Sequence, residues 1–253
     1  MRAPARLVTV AEMQFRDLRR RPVALAILAV LPLAFYLSLL SSPHYAVIAG
    51  TIGMSFAVAG ASLFSLLGTR RAEPLLALSG YTTTDLLAGR LLLLLALGLV
   101  LAGGSIGLMA GLTRPGDLPA LLLAGALMAA VSVPLGLCVA SVLPRELEGT
   151  LTIIGIVGVE LSLPANAALA PFLPLFGAVR LAEVAVGDAT SPLWVALLHS
   201  AGYAALLMAI SIWAWRRRLR IEPPQPLDPQ TSAWEQQGSA GGEGPGNRFP
   251  SPT

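Results

Sequence analysis

The sequence predicts an all-α, polytopic membrane protein with six transmembrane helices, an N-terminal interfacial helix and a re-entrant hairpin after the fifth span. Three observations predict it. Hydrophobic residues make up 55% of the 253-residue chain and charged residues 12%, about half the ~25% charge of a soluble domain. The apolar residues fall into runs near the ~20 residues that a helix needs to cross a ~30 Å hydrocarbon core. The arginines collect on alternate connections between those runs.

Residues 1–22 form a polar lead. Leu7, Ala11, Phe15 and Leu18 recur at helical spacing, and Glu12 and Arg16 stand as an i,i+4 pair. The segment is read as an amphipathic helix lying in the cytoplasmic interface. No small-x-small cleavage site directly follows the first apolar run, so a retained span is expected rather than a cleaved leader.

The six spans of the 23–220 domain are expected at about 23–42, 46–67, 86–112, 118–143, 147–164 and 192–215. The fifth region is unusual. Residues 149–179 hold a single charge before Arg180 enters the count, that of Glu160. The stretch exceeds one span yet falls short of two, which need about 40 residues. Pro164, Pro171 and Pro174 interrupt its second half, and each proline removes a backbone donor. A span followed by a re-entrant or surface hairpin to about Val186 is the reading.

Orientation follows from the arginines. All 17 basic residues are Arg. With six spans, 15 of the 17 share one side with both termini, leaving Arg114 and Arg180 on the other. Basic loops stay cytoplasmic, so both termini are placed inside. This distribution, rather than nucleic-acid binding, accounts for the net charge of +3. The all-Arg usage with abundant Ala, Leu, Gly and Pro points to a GC-rich bacterial genome, hence a bacterial cytoplasmic membrane. Residues 221–253, rich in Pro, Gly, Gln and Ser, are expected to be a disordered cytoplasmic tail.

Several chemistries are excluded or weak. Without lysine the chain has no phosphate-loop ammonium, so no ATPase site and no cofactor of its own are expected. One cysteine, Cys138, allows no intrachain disulfide. His44 and His199 are the only histidines. A low-ranking alternative pairs Ser62 with His199 as an intramembrane serine hydrolase. Small residues at Gly53, Ser55, Gly60 and Ser62 have the plainer use of close helix packing.

The second cytoplasmic connection is the most informative stretch. Pro74 suits the first turn of a short helix, Leu75, Leu78 and Tyr81 lie along one face, and Gly80 ends it or lets the chain turn. Leu75, Leu76, Ser79, Thr82, Leu86, Leu87, Gly89 and Arg90 match or conservatively replace the Leu-Leu-x-x-Ser-Pro-x-Ser-x-x-x-Leu-Leu-x-Gly-Lys string of one family. The layout over roughly residues 7–220 resembles that family, the ABC type-2 permeases, which are membrane subunits of ATP-driven exporters. Gly80 stands where proline is usual, and the acidic string expected near Arg70–Glu73 is echoed instead at Arg145-Glu146-Leu147-Glu148-Gly149-Thr150-Leu151.

The resemblance implies a coupling helix at about 71–82, with Arg71, Glu73, Leu75, Leu78, Gly80, Tyr81 and Thr82 contacting an ATP-binding cassette ATPase subunit. It implies that ATP is bound by that partner, and that a second permease copy or paralogue completes the pore. The nearly charge-free spans favour a hydrophobic or amphipathic cargo, and membrane lipid is the other expected partner. Glu160, deep in the fifth span, is read in two ways: a gate or cavity group on the translocation path, or a structural pair with Arg180. An ion-coupled secondary carrier is the alternative function, although such carriers usually hold several ionisable groups at mid-membrane.

Overall fold

A computed structural model describes residues 3–20, 22–69, 83–143, 145–163, 167–187 and 192–218, and those up to Arg217 form one compact unit. The helices are α1 (Ala3–Arg19), α2 (Pro22–Ser38), α3 (Pro43–Thr69), α4 (Thr83–Thr113), α5 (Leu118–Val142), α6 (Glu146–Ser162), α7 (Phe176–Val186) and α8 (Leu193–Arg218), with one 3-10 turn at Ala170–Phe172. No strand occurs among the described residues. The expected coupling helix at 71–82 and the tail at 221–253 lie outside the described residues.

Four of the helices are long and apolar enough to cross a membrane: α3, most of α4, α5 and α8. Their boundaries agree with the second, third, fourth and last expected spans. The other two expected spans are shorter than anticipated. α2 has 17 residues and stops at Ser38, not at residue 42. Ser42 precedes Pro43, and a residue before proline is pushed away from helical dihedrals. A run of turns closes the gap instead, with Leu39 N–H bonded to Tyr36 O and Ser42 N–H to Leu39 O. α6 also has 17 residues, about 25 Å of rise. It ends at an extended Leu163, with φ −87° and ψ 124°, again just before a proline.

Local chemistry sets the other ends. Asp117 caps α5, its carboxylate accepting from Ala120 N–H at 2.9 Å, and Pro119 occupies the first turn. α7 ends at Gly187, whose φ of +85° lets its N–H turn back to Glu183 O and Val184 O.

α3 and α5 make the centre of the bundle. Their apolar windows are 78% and 72% buried, against 28% for α4 and 17% for α8. The outer helices therefore turn large apolar side chains outward, such as Val100, Leu92, Leu198 and Trp213, a surface suited to lipid. Small residues let α3 and α5 approach closely. A Cβ built on Gly136 would stand 2.1 Å from Ala59 O and 2.7 Å from Ser62 Cβ. Buried hydroxyls on both helices are mostly satisfied within their own helix: Thr51 donates to Val47 O, Ser55 to Ile52 O, Ser62 to Val58 O and Ser141 to Cys138 O.

α1 packs against α4. The expected Glu12–Arg16 pair forms at 2.6 Å on its exposed face. Of the expected apolar stripe, Phe15 is 52% exposed, compatible with an interfacial face, while Val10 supplies a buried contact. α1 also touches α2.

The close contact at Gly136 predicts a sharp difference between two glycines. Gly136→Ala should lower stability by about 1–3 kcal/mol, the usual cost of overpacking, because the added methyl meets backbone rather than a movable side chain. Gly155→Ala, where nothing lies within 4 Å, should leave the thermal midpoint in detergent unchanged or raised. Parallel thermal denaturation of the two variants checks this.

Candidate functional site

The chain leaves α6 at Leu163 and returns through the 3-10 turn into α7. α7 is only 11 residues long, yet it is firmly seated. Leu181, Ala182 and Ala185 pack with Ala46, Val47 and Met54 of α3 and with Leu121 and Ala124 of α5. Ala185 O also accepts from Asp117 N–H at 3.1 Å. Alanine at these positions lets the short helix lie close against the central pair.

α8 holds the returning segment from the other side. His199 Nδ1 accepts from Gly177 N–H at 3.3 Å, and its Nε2 lies 2.9 Å from Pro171 O. A carbonyl only accepts, so this arrangement calls for the neutral tautomer with the proton on Nε2. Tyr203 OH donates to Phe172 O at 2.5 Å, and its ring lies 4.7 Å from the imidazole. His199 is therefore a packing histidine. Ser62 Oγ donates to Val58 O at 2.8 Å, so the serine–histidine relation that a hydrolase needs is not made by these two residues.

Between α3, the end of α6 and α7 lies a cleft of about 990 Å³. Its walls include Leu39, Ile48, Ile52, Leu161 and Val179, and both Glu160 and Arg180 line it. The two do not form the pair weighed from the sequence. Arg180 instead bonds Glu183 at 2.7 Å. The reason is helical reach: Glu183 sits three residues along the same helix, on the same face, while Glu160 approaches from another element. Glu160 is 6% exposed and makes no ion pair among the described residues. The backbone N–H of Leu175 is turned toward its carboxyl, outside full hydrogen-bond geometry.

A second polar feature lies at the opposite end of the bundle, and sequence reasoning missed it. Arg90, read there as a cytoplasmic charge and as the last position of the family string, is 2% exposed. Its guanidinium donates to Thr69 Oγ1 and stands 5.5 Å from the centre of the Trp215 ring. It thus ties the end of α3, the first turns of α4 and the end of α8, on either side of the 70–82 connection. The signal was present: a single cation inside the apolar run from Leu86 marks a residue with a specific partner. The expected coupling residues Arg71, Glu73, Leu75, Leu78, Gly80, Tyr81 and Thr82 lie outside the described residues.

Among the described residues no group of three or more His, Cys, Asp or Glu is placed to hold a metal. What the fold and site define together is a class, an all-helical protein with four helices long and apolar enough to cross a membrane and a half-open, largely apolar cleft lined by the buried Glu160. Comparison with protein-family models and with curated proteins finds no match for this chain.

The rearranged pairing makes a measurable prediction. In a double-mutant cycle, Arg180→Gln and Glu183→Gln should couple, each single change destabilising and the second costing less once the first is made. Glu160→Gln and Arg180→Gln should be close to additive, within the ~0.5 kcal/mol expected of independent sites. Thermal unfolding of the three single and two double variants, beside the unaltered chain, in one detergent reads both cycles.

Proposed function

We propose that the chain is the permease subunit of an ABC exporter, forming the translocation path for a hydrophobic or amphipathic substrate and driven by a separate ATPase subunit. The observation that carries the reading is the order of elements. A lead helix is followed by two apolar helices, a connection at 70–82, two more apolar helices, a fifth that returns through the short α7, and a last one. In this reading α2 and α6 are the first and fifth spans, at the lower end of the length that crosses a bilayer, and α7 is the re-entrant element. Both termini lie inside, and the cleft opens toward the outer face, since the 39–45 turn and α7 are external in such a topology.

ATP binding and hydrolysis in the partner would move the 71–82 coupling helix. The Thr69–Arg90–Trp215 tie gives that motion a route into α3, α4 and α8. Two permease copies, or this chain and a paralogue, enclose the path. ATP hydrolysis is assigned to the partner, because the phosphate-loop ammonium would have to come from lysine, which this chain lacks.

A second reading, an ion-coupled secondary carrier, is favoured by one observation: Glu160 is buried without an ion pair among the described residues, as proton relays in transporters often are. The driving force separates the two. ATP-dependent transport in proteoliposomes with the cognate ATPase supports the exporter; transport driven by a proton gradient without any ATPase supports the carrier.

Two tests follow. Single cysteines at Thr113 and Asp188, in a Cys138→Ser background, should react with an impermeant thiol reagent from outside intact cells, while one at Thr83 should not. Outside labelling at Thr83 overturns the six-span topology. The coupling helix is tested by Leu78→Ala with Tyr81→Ala. Truncating buried anchors of this kind commonly costs about 2 kcal/mol or more, roughly thirtyfold in affinity. Co-purification of the ATPase should fall accordingly while membrane insertion is unchanged. Full retention of the complex and of coupled transport removes the 71–82 segment as the coupling element.

A further inference from the structure

The cleft between α3, α6 and α7 has a charge balance that selects a ligand. We infer that it binds a cationic amphiphile, a molecule with one protonated amine on an apolar body, with Glu160 as the counter-ion and Tyr45 as the aromatic face at the rim. This assignment rests on the transport reading above and names the cargo class of the same cleft.

Size is the first argument. A volume of about 990 Å³ matches the upper part of the ~300–1,000 Å³ range of small-molecule sites. The apolar side of the wall, Ile52 among it, takes hydrocarbon. The acidic and basic side chains on the wall are the carboxyls of Glu160 and Glu183, the Arg180 guanidinium, the His44 imidazole and the Tyr45 phenol. Arg180 is already engaged by Glu183 at 2.7 Å, so that pair is internally neutral. Glu160 is left over, 6% exposed, with neither oxygen in a hydrogen bond. A buried carboxylate without a partner is costly in an apolar setting, and a ligand ammonium would answer it. Tyr45 lines the same cleft and is 67% exposed, which leaves its ring face open to a cation. An anionic amphiphile has no unengaged cation on this wall to meet, and a neutral one leaves Glu160 unanswered.

The experiment uses the full-length chain in phosphatidylcholine nanodiscs. Binding of rhodamine 6G, a cationic fluorescent amphiphile, is read by anisotropy against empty discs, with dodecylammonium and dodecyl sulfate as competitors. The expected result is saturable binding displaced by dodecylammonium and not by dodecyl sulfate. Glu160→Gln should weaken it about tenfold or more, the scale of a lost buried charge contact. Tyr45→Phe should keep the affinity and Tyr45→Leu should reduce it, as a cation over a ring requires. Unchanged affinity in Glu160→Gln with a wild-type elution profile overturns the assignment, as does equal competition by dodecyl sulfate. Should Glu160→Gln fail to elute as folded protein, the Tyr45 pair decides: equal affinity of Phe and Leu variants overturns the assignment. Charge-selective binding by a chain that captures no ATPase leaves the cleft assignment standing and removes the exporter; ATPase capture without charge-selective binding removes the assignment alone.

Discussion

The arrangement of the bundle depends on one close approach, that of α5 to α3 at Gly136. There the absence of a side chain lets one helix come down onto the Ala59 carbonyl of the other. In a bilayer, apolar side chains gain little by leaving lipid for one another, so close surface fit does the work that water does for soluble proteins. The α3–α5 pair is the platform on which the rest is laid. α7 packs in the groove they make, α6 lies against α3, and α4 lies along both. Because α7 is seated on this platform, the cleft between α3, α6 and α7 has a fixed back wall and only its outer lining is open.

The four long apolar helices were legible in the sequence because run length and hydropathy report directly on the ability to cross hydrocarbon. The four long helices begin and end within a few residues of where the apolar runs do. The ends of α2 and α6 were less legible. The end of α6 is decided by Leu163, the residue before Pro164, an effect that is local and is diluted when hydropathy is averaged over a whole span; α2 stops at Ser38, ahead of Pro43, within a run that stays apolar. The site was legible only in its members. Glu160 stood out as the one charge in a long apolar stretch, and it does line the cleft. Its expected partner did not follow. Arg180 was matched to it across the chain while Glu183, three residues away on the same short helix, was passed over. Arg90 was read by its charge and not by its depth. The matching of Leu75, Leu78 and Tyr81 to a coupling helix concerns residues outside those described, so the family resemblance stands where the sequence left it.

The two polar ties of the bundle have different chemistry. At the Arg90 end a permanent cation holds a hydroxyl and faces an aromatic ring, a combination insensitive to pH because the guanidinium stays charged. At the His199 end the links are neutral and directional, with a ring nitrogen accepting from Gly177 and the other bonded to Pro171 O. The first tolerates small rotations of the ring beneath the cation. The second is satisfied by one tautomer in one orientation, and it fixes the start of α7 accordingly.

Both ties end on α8. Trp215 is near one end of that helix, and His199 and Tyr203 are near the other, so the anchor points are 16 residues apart, about 24 Å along the axis. Between them α8 is the least enclosed of the long helices. Such a helix is a pushrod: stiff in compression because its turns are hydrogen-bonded, tied near both ends, and guided between them where Ala204, Leu207 and Met208 pack against the core. An axial push at the tryptophan end would therefore be delivered to the histidine end, where it would bear on the Pro171 and Phe172 carbonyls.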